Sequence, residues 1–246
     1  MKSIDVSDFK IVKFDEINST STYLKERICE LENLTLVESD FQTNGHGRME
    51  RKWMANKGEA ILFSLLIKDE KIIKNFAKLS LLSANCVFYL LNDYIKGVSI
   101  KWPNDVYIND KKVSGILLES KSIDGEIIGL ILGIGVNINT KFLPDEIKES
   151  ATSLYLETGK TFDIKLLKDK LYRLLAEGLN QLLNDDNSYL DNVRKYNYLK
   201  DKKVIANING NEKEVVVLDI NDDNSLKLLY DNEIYNLSIG EITFHK

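Results

Sequence analysis

The chain has 246 residues, of which 43% are hydrophobic and 29% charged, and its formal net charge is −5. This length predicts one full core plus a minor unit, and the composition excludes the disordered and membrane classes. The mild acidic balance argues against duplex DNA as a partner, which asks for a basic face. No apolar leader opens the chain and no run of about eighteen apolar residues occurs, so a cytoplasmic protein with no membrane partner is expected. Cys29 and Cys86 lack ligand spacing and are expected to act as small hydrophobes. His46 and His245 are the only histidines, which leaves little room for a zinc site or a Ser-His-Asp triad.

In chain order, a Ser/Thr cluster opens a first helix over Asn18–Leu31, and a short strand, LTLVES, follows. The next stretch, FQTNGHGRMERKWMANKG, is polar and aperiodic, the mark of a long loop. Gly58–Ile67 is continuously apolar, as a strand covered on both faces would be, and Ile72–Ile95 has the period of one long buried helix. Then come VSIKW, DVYIN, KVSGILLES and EIIGLILGIGVNIN, strands separated by turns at Asn109-Asp110 and Asp124-Gly125. Lys165–Leu183 reads as an amphipathic helix with a stripe that includes Leu166, Leu171, Leu175 and Leu182. DDNSYLDN reads as a polar connection. From about Lys200 short strands recur, with turns at Asn209-Gly210-Asn211, Asp222-Asp223-Asn224 and Asp231-Asn232, which predicts a small β-barrel. The fold class is α+β: a mixed sheet with helices packed on one side, in a domain over 1–198, plus a small β domain over 199–246.

Two constellations carry chemistry. The loop from Gly45 to Trp53 packs His46, Arg48, Arg51 and Lys52 between glycines, so it can wrap an anion, with Trp53 available to stack on a base; the bland alternative is a solvated basic loop. In Lys101-Trp102-Pro103-Asn104-Asp105 a strand ends at a proline and places two polar groups at the turn. Lys112 returns on the opposite strand of a hairpin, near Asp105, followed by Gly115. Gly133-Ile134-Gly135-Val136-Asn137 lacks the third glycine and the following helix of a dinucleotide fingerprint, and no GxxxxGK[ST] is present, so any nucleotide is held in another way.

Ser19-Thr20, Q-T-x-G-H-G-R-x-x-R-K-W from Gln42 to Trp53, KWPNDV, KKVSGILLE, GIGVNIN and Ala151-Thr152-Ser153-Leu154 together resemble the biotin–protein ligases. The likeness spans roughly residues 11 to 155, and the β-rich tail resembles that family's small SH3-like C-terminal domain. It implies a class II synthetase-like catalytic domain of the biotin–lipoate ligase kind. The implied activity forms biotinyl-5'-AMP from biotin and ATP with Mg²⁺, then transfers biotin to one lysine of a biotin carboxyl carrier protein. A homodimer is compatible with the resemblance.

By the same resemblance, Ser19, Thr20 and Gln42, with His46, Gly47 and Arg48, match positions around the biotin ring system, its chain and its carboxylate. Lys112 matches the lysine between that carboxylate and the α-phosphate. Arg51, Lys52, Trp53, Asn104, Asp105 and Asn137 match positions around the adenylate, its phosphates and the magnesium ion, with Asp105 as the metal ligand, and Gly115 allows close approach to biotin. Lys112, Arg48 and Asp105 are the expected catalytic groups. Two positions depart from the family: Ser21 stands where an asparagine is usual, and Glu50 where a glycine is common. The alternatives are a lipoate or octanoate ligase of the same architecture and a non-catalytic biotin binder. Fewer than twenty residues precede the first motif, so no DNA-binding domain is expected.

Overall fold

The computed structural model describes residues 3–208, 210–238 and 242–243. The side chain of Glu50, Asn209 in its expected turn, and His245 lie outside the described residues. Strand β1 (Lys10–Phe14) leads to α1 (Thr20–Glu26), and then to β2 (Thr35–Ser39) and β3 (Ala60–Ile67). Helices α2 (Glu70–Lys74) and α3 (Phe76–Asn92) precede a run of strands: β4 (Val98–Lys101), β5 (Asp105–Ile108), β6 (Lys111–Ile123) and β7 (Glu126–Asn137). Helices α4 (Leu154–Thr158), α5 (Ile164–Leu183) and α6 (Tyr189–Lys195) follow. Strands β8 (Lys203–Ile208), β9 (Asn211–Ile220), β10 (Leu226–Tyr230), β11 (Glu233–Leu237) and β12 (Ile242–Thr243) come last among the described elements.

Seven strands form one mixed sheet in the order β1-β2-β3-β7-β6-β5-β4, parallel only between β1 and β2. The order follows from tight hairpins: Asn109-Asp110 and Asp124-Gly125 all have positive φ, the geometry two-residue hairpin turns need. The β5 hairpins and the long β6–β7 ladder then stack sequential strands side by side. The segment after α6 pairs with the outer strand β4, since Ile100 N donates to Tyr196 O at 2.9 Å and Tyr198 N to Ile100 O at 2.8 Å. That edge is thereby covered.

Every residue of β3 is buried, as its unbroken apolarity predicts, and side-chain alternation divides the strand between two environments. Ile61, Phe63, Leu65 and Ile67 face the main core with Leu130, Leu132 and Ile134 of β7 and the buried faces of α3 and α5. Leu66, with Val37 and Ile131, faces the other way and packs against Leu24 and Ile28, from α1 and the turn after it. The long helices thus cover one face, and short α1 lies on the opposite one, where it covers only the β2–β3–β7 end of the sheet.

Glu38 anchors this arrangement. Burial pushes its pKa up, but Tyr172 Oη, which donates to it, and the ammonium groups of Lys13 at 3.0 Å and Lys168 at 3.2 Å outweigh that and hold it below the ordinary carboxylate value.

Several boundaries differ from expectation. The first helix stops at Glu26, because Arg27 leaves helical geometry, and Cys29 is exposed in the turn beyond. The single helix expected over Ile72–Ile95 is two, divided at Asn75, whose side chain donates to Lys71 O at 3.1 Å and so caps α2. Leu166 is exposed, outside the buried stripe of α5. The segment read as a polar connection holds α6, with Tyr189, Leu190 and Val193 buried. Cys86 is buried as expected, and burial lifts its thiol pKa to about 12. The C-terminal strands make a second, antiparallel sheet in the order β11-β10-β9-β8-β12. It is tied to the first by Trp102 Nε1, which donates to Asn224 O at 2.9 Å, and by Tyr189 Oη, which donates to Asn224 Oδ1 at 2.8 Å.

Candidate active site

The face of the large sheet that α1 leaves uncovered is lined by small residues where its neighbours carry large ones. Along β7 the same-face positions are Ile131, Gly133, Gly135 and Asn137, with Gly115 on β6 beside Gly135 and Ser64 of β3 beside Gly133. Missing side chains open a cavity of about 490 Å³ above this floor, within the usual range for small-molecule sites. Two of these glycines are required by close approach. A Cβ on Gly135 would lie 2.6 Å from Trp53 Cε2, and one on Gly133 would lie 3.0 Å from Ser21 Oγ. Successive same-face positions are about 6.8 Å apart along a strand, so β7 spaces the contents of the cavity.

Above Gly133 lies a hydroxyl cluster. Ser19 caps α1, and Thr20 and Ser21 occupy its first turn. Thr20 N and Thr20 Oγ1 both donate to Gln42 Oε1, at 2.7 and 3.0 Å. Ser64 Oγ lies 2.8 Å from Thr20 Oγ1 and 2.9 Å from Ser21 Oγ.

Above Gly135 and Gly115 lies the basic loop. It is pinned at its base, where Thr43 N donates to Ile17 O, and by an internal bridge between His46 and Lys52; Trp53 N donates to Gly45 O at 2.9 Å. Between these ties Met49 adopts a left-handed conformation with an exposed side chain. His46 Nε2 stands 3.7 Å from Glu119, which also pairs with Lys25 of α1 at 2.5 Å. Arg48 donates to Asn104 Oδ1 at 3.3 Å, and Asn104 in turn donates to Ile116 O at 2.6 Å.

The hairpin pairs Lys112 with Tyr107 and Asp105 with Gly115, and the lysine reaches diagonally to put its Nζ 2.7 Å from Asp105 Oδ1. Lys112 also carries the backbone bridge to Ala151 that closes the segment after β7 over the cavity. Asn137 Nδ2 donates to Thr152 O at 3.0 Å, while Asn137 Oδ1 and Trp53 Nε1 are buried without hydrogen-bond partners among the described residues. Unpaired buried polar atoms are uncommon, and two of them lining one cavity point to a ligand that would satisfy them.

Each candidate residue read from the sequence therefore lines this one cavity: Ser19, Thr20, Ser21 and Gln42 at the hydroxyl end; His46, Gly47, Arg48, Arg51, Lys52 and Trp53 on the loop; and Asn104, Asp105, Lys112, Gly115 and Asn137 on the sheet. Sequence reasoning missed Ser64, indistinguishable there from a core residue. It gave no role to Lys101, which lines the cavity and donates to Tyr107 Oη at 3.2 Å. It also missed Ile242 of the small sheet, which reaches the cavity wall. Tyr107 is held protonated by burial and then by the charge of Asp105. Arg48, Arg51, Lys52, Lys101 and Lys112 face the cavity with Asp105 as the one carboxylate among its described lining residues, a field suited to a polyanion.

Residues 13–137 match the Biotin/lipoate A/B protein ligase family. The chain belongs to that family. It is similar, at 38% identity over 150 residues, to the bifunctional ligase/repressor BirA of Bacillus spizizenii, an alignment covering 56% of this chain and 46% of the other. It is 31% identical over 147 residues to a biotin–acetyl-CoA-carboxylase ligase of Paracoccus denitrificans, covering 57% and 61%. The chain thus spans about half the length of the first of these relatives. Among solved structures, the biotin protein ligase from Aquifex aeolicus in complex with biotin and ATP superposes with a TM-score of 0.85 at 28% identity, over 95% of this chain and 97% of that one. The family match runs from within β1 to the end of β7 and includes every described cavity-lining residue except Ile147, Ser150, Ala151 and Ile242. Among the described residues no group of three or more His, Cys, Asp or Glu could hold a metal ion, and no helix is long and apolar enough to cross a membrane.

Proposed function

We propose that this chain is an ATP-dependent biotin–protein ligase. It joins biotin to ATP as biotinyl-5'-AMP, and then passes the biotinyl group to one lysine of a biotin carboxyl carrier domain. The observation that carries the reading is the pairing within one cavity of a hydroxyl and amide cluster over Gly133 with a cationic cluster over Gly135 and Gly115. The first suits a cyclic urea, which offers N–H groups and a carbonyl; the second suits a carboxylate brought against a triphosphate.

In the first step a carboxylate oxygen of biotin attacks the α-phosphorus, the bond to the β-phosphate oxygen breaks, and pyrophosphate leaves. Two anions must meet, so Lys112 and Arg48 are assigned to the carboxylate and α-phosphate, and Arg51, Lys52 and Asn104 to the phosphates. Trp53 and Asn137 are assigned to the adenylate, and His46 and Gly47 to the chain of biotin. In the second step the lysine amine of the carrier attacks the acyl carbon, loses a proton and expels AMP. No protein nucleophile takes part.

Magnesium would screen the phosphates. Asp105 is the residue that would hold it, and one carboxylate suffices because this ion usually keeps waters and substrate phosphates as its other ligands. Residues 1–198 are assigned to catalysis and 199–246 to a small SH3-like domain. The reaction is assigned to the cytoplasm, a compartment that supplies ATP.

The second reading, a lipoate or octanoate ligase, asks for an apolar end to the cavity, and the Thr20–Ser64–Ser21 cluster disfavours it. The test is to incubate the protein with ATP, Mg²⁺ and biotin, lipoate or octanoate and follow pyrophosphate. Release with biotin alone supports the reading; release with octanoate or lipoate alone, or with none of the three, refutes it.

A further inference from the structure

Ser64 is fully buried in the middle of β3 and belongs to none of the sequence motifs, yet its hydroxyl bridges the two residues that open α1. We infer that Ser64 is a positioning residue that fixes the direction of a hydroxyl relay, so that Ser21 meets the ligand as a hydrogen-bond acceptor and selects a ring N–H. This rests on the reading of the cavity given above and adds to it the residue that sets its polarity.

The direction follows from counting protons. Gln42 Oε1 accepts from the backbone N–H of Thr20 at 2.7 Å, so that end of the amide is the carbonyl. Thr20 Oγ1, 3.0 Å from the same oxygen, must then spend its single proton on it. The 2.8 Å contact between Thr20 Oγ1 and Ser64 Oγ is a hydrogen bond only if Ser64 donates. With that proton committed, the 2.9 Å contact between Ser64 Oγ and Ser21 Oγ needs Ser21 as donor. Protons therefore run from Ser21 to Ser64 to Thr20 to Gln42. Ser21 Oγ, which lines the cavity over Gly133, is left with lone pairs to offer and no proton.

A cyclic urea supplies the N–H that such an acceptor takes, and a dithiolane or an alkyl chain does not. Ser21 occupies the position where the family usually has an asparagine, whose amide carries both a donor and an acceptor. In this chain the choice between the two is made by Ser64.

Ser64→Ala removes one buried oxygen and frees the Ser21 hydroxyl to rotate. The experiment is calorimetric titration of the full-length protein with biotin, and separately with ATP, for the wild type, Ser64→Ala, Ser21→Ala and the double variant. Losing the preset direction of one neutral hydrogen bond is expected to weaken biotin roughly 5- to 10-fold in Ser64→Ala. ATP affinity stays within about twofold of wild type, which a general structural defect would not allow. Because Ser64 acts through Ser21, the double variant is expected to bind biotin no more than about twofold worse than Ser21→Ala alone.

Wild-type biotin affinity in Ser64→Ala, or losses that multiply in the double variant, would overturn the relay. Should Ser64→Ala fail to fold, Ser64→Cys keeps a weaker donor at the same place; a loss of a few-fold in biotin affinity supports the relay, and wild-type affinity overturns it. Failure of the wild-type protein to bind biotin refutes instead the reading of the cavity on which the relay depends.

Discussion

Gly135→Ala tests whether the cavity is organised by contact between the floor of the sheet and the loop above it. The added Cβ would lie 2.6, 2.7 and 3.1 Å from three atoms of the Trp53 indole, against an optimal carbon separation of about 3.5–4.0 Å. Something must therefore move by roughly 1 Å. Strand β7 cannot easily give, because Gly135 is paired with Leu62 on one side and Gly115 on the other. Trp53 must rise, and with it Arg51 and Lys52, which share its short stretch of chain. Overpacking of this kind costs about 1–3 kcal/mol, and if it falls on the closed state of the loop, ligand affinity drops roughly 5- to 150-fold. Intrinsic fluorescence reads the change, since Trp53 is one of two tryptophans and the other, Trp102, is buried with its indole N–H held by Asn224 O. Titrating ATP and biotin against Gly135→Ala should show the weakened binding with a melting temperature lowered by no more than about 2–4 °C per kcal/mol. Gly125→Ala, at a remote hairpin with nothing within 4 Å of the new Cβ, is the control: it strains a residue at φ 85° and should leave affinity unchanged. Wild-type affinity in Gly135→Ala would refute the account of the floor.

Lys112→Ala removes the cation placed 2.7 Å from Asp105 and is expected to slow pyrophosphate release by about 10²–10³, measured in a coupled phosphate assay; release at the wild-type rate would contradict its assignment. Arg48→Gly breaks the 3.3 Å bond that ties the loop to Asn104, so the variant should still release pyrophosphate while letting the adenylate escape. Labelling of a bystander albumin should rise relative to a carrier domain by roughly 5- to 150-fold, as expected for about 1–3 kcal/mol of lost closure, and unchanged selectivity would count against it. Glu38→Gln should destabilise the fold at neutral pH by about 3–5 kcal/mol in urea titrations, because Lys13 and Lys168 lose their buried partner. The pKa of Glu38 is lowered on folding, so its contribution is fully present above the unfolded value near 4.5 and is lost as the pH falls below it; a wild-type-to-variant gap that stays constant on acidification would contradict this.

Much of this site was legible because its chemistry sits at turns and loops, where residue type reports directly on geometry. The Asn109-Asp110 turn sets Lys112 opposite Tyr107, two residues from Asp105 on the facing strand, so the closeness of that pair could be read without coordinates, while the bulge at Val106–Tyr107 that moves Asp105 opposite Gly115 could not. The strand pattern of the large sheet was legible for the same reason. Ser64 was not: within AILFSLLI a serine reads as a tolerated small residue, and its role depends on which face it shares with α1, a tertiary fact. Lys101 received no role because a lysine at the end of a strand has the same signature whether it meets solvent or a cavity. Helix α6 escaped because its acidic and amide residues mask a short apolar face of Tyr189, Leu190 and Val193, which becomes evident only where the small sheet covers it. The break at Asn75 was hidden by an apolar period that continues through it, although the cap itself is local.

The central claim is that one cavity accepts a cyclic urea at its hydroxyl end and activates the attached carboxylate at its cationic end. Native mass spectrometry of the protein after incubation with ATP, Mg²⁺ and biotin reads this most directly. One biotinyl-adenylate per chain is predicted with biotin, and no acyl-adenylate with octanoate or lipoate. Intact ATP and biotin bound side by side without the adenylate, or an octanoyl- or lipoyl-adenylate formed in preference, would contradict it.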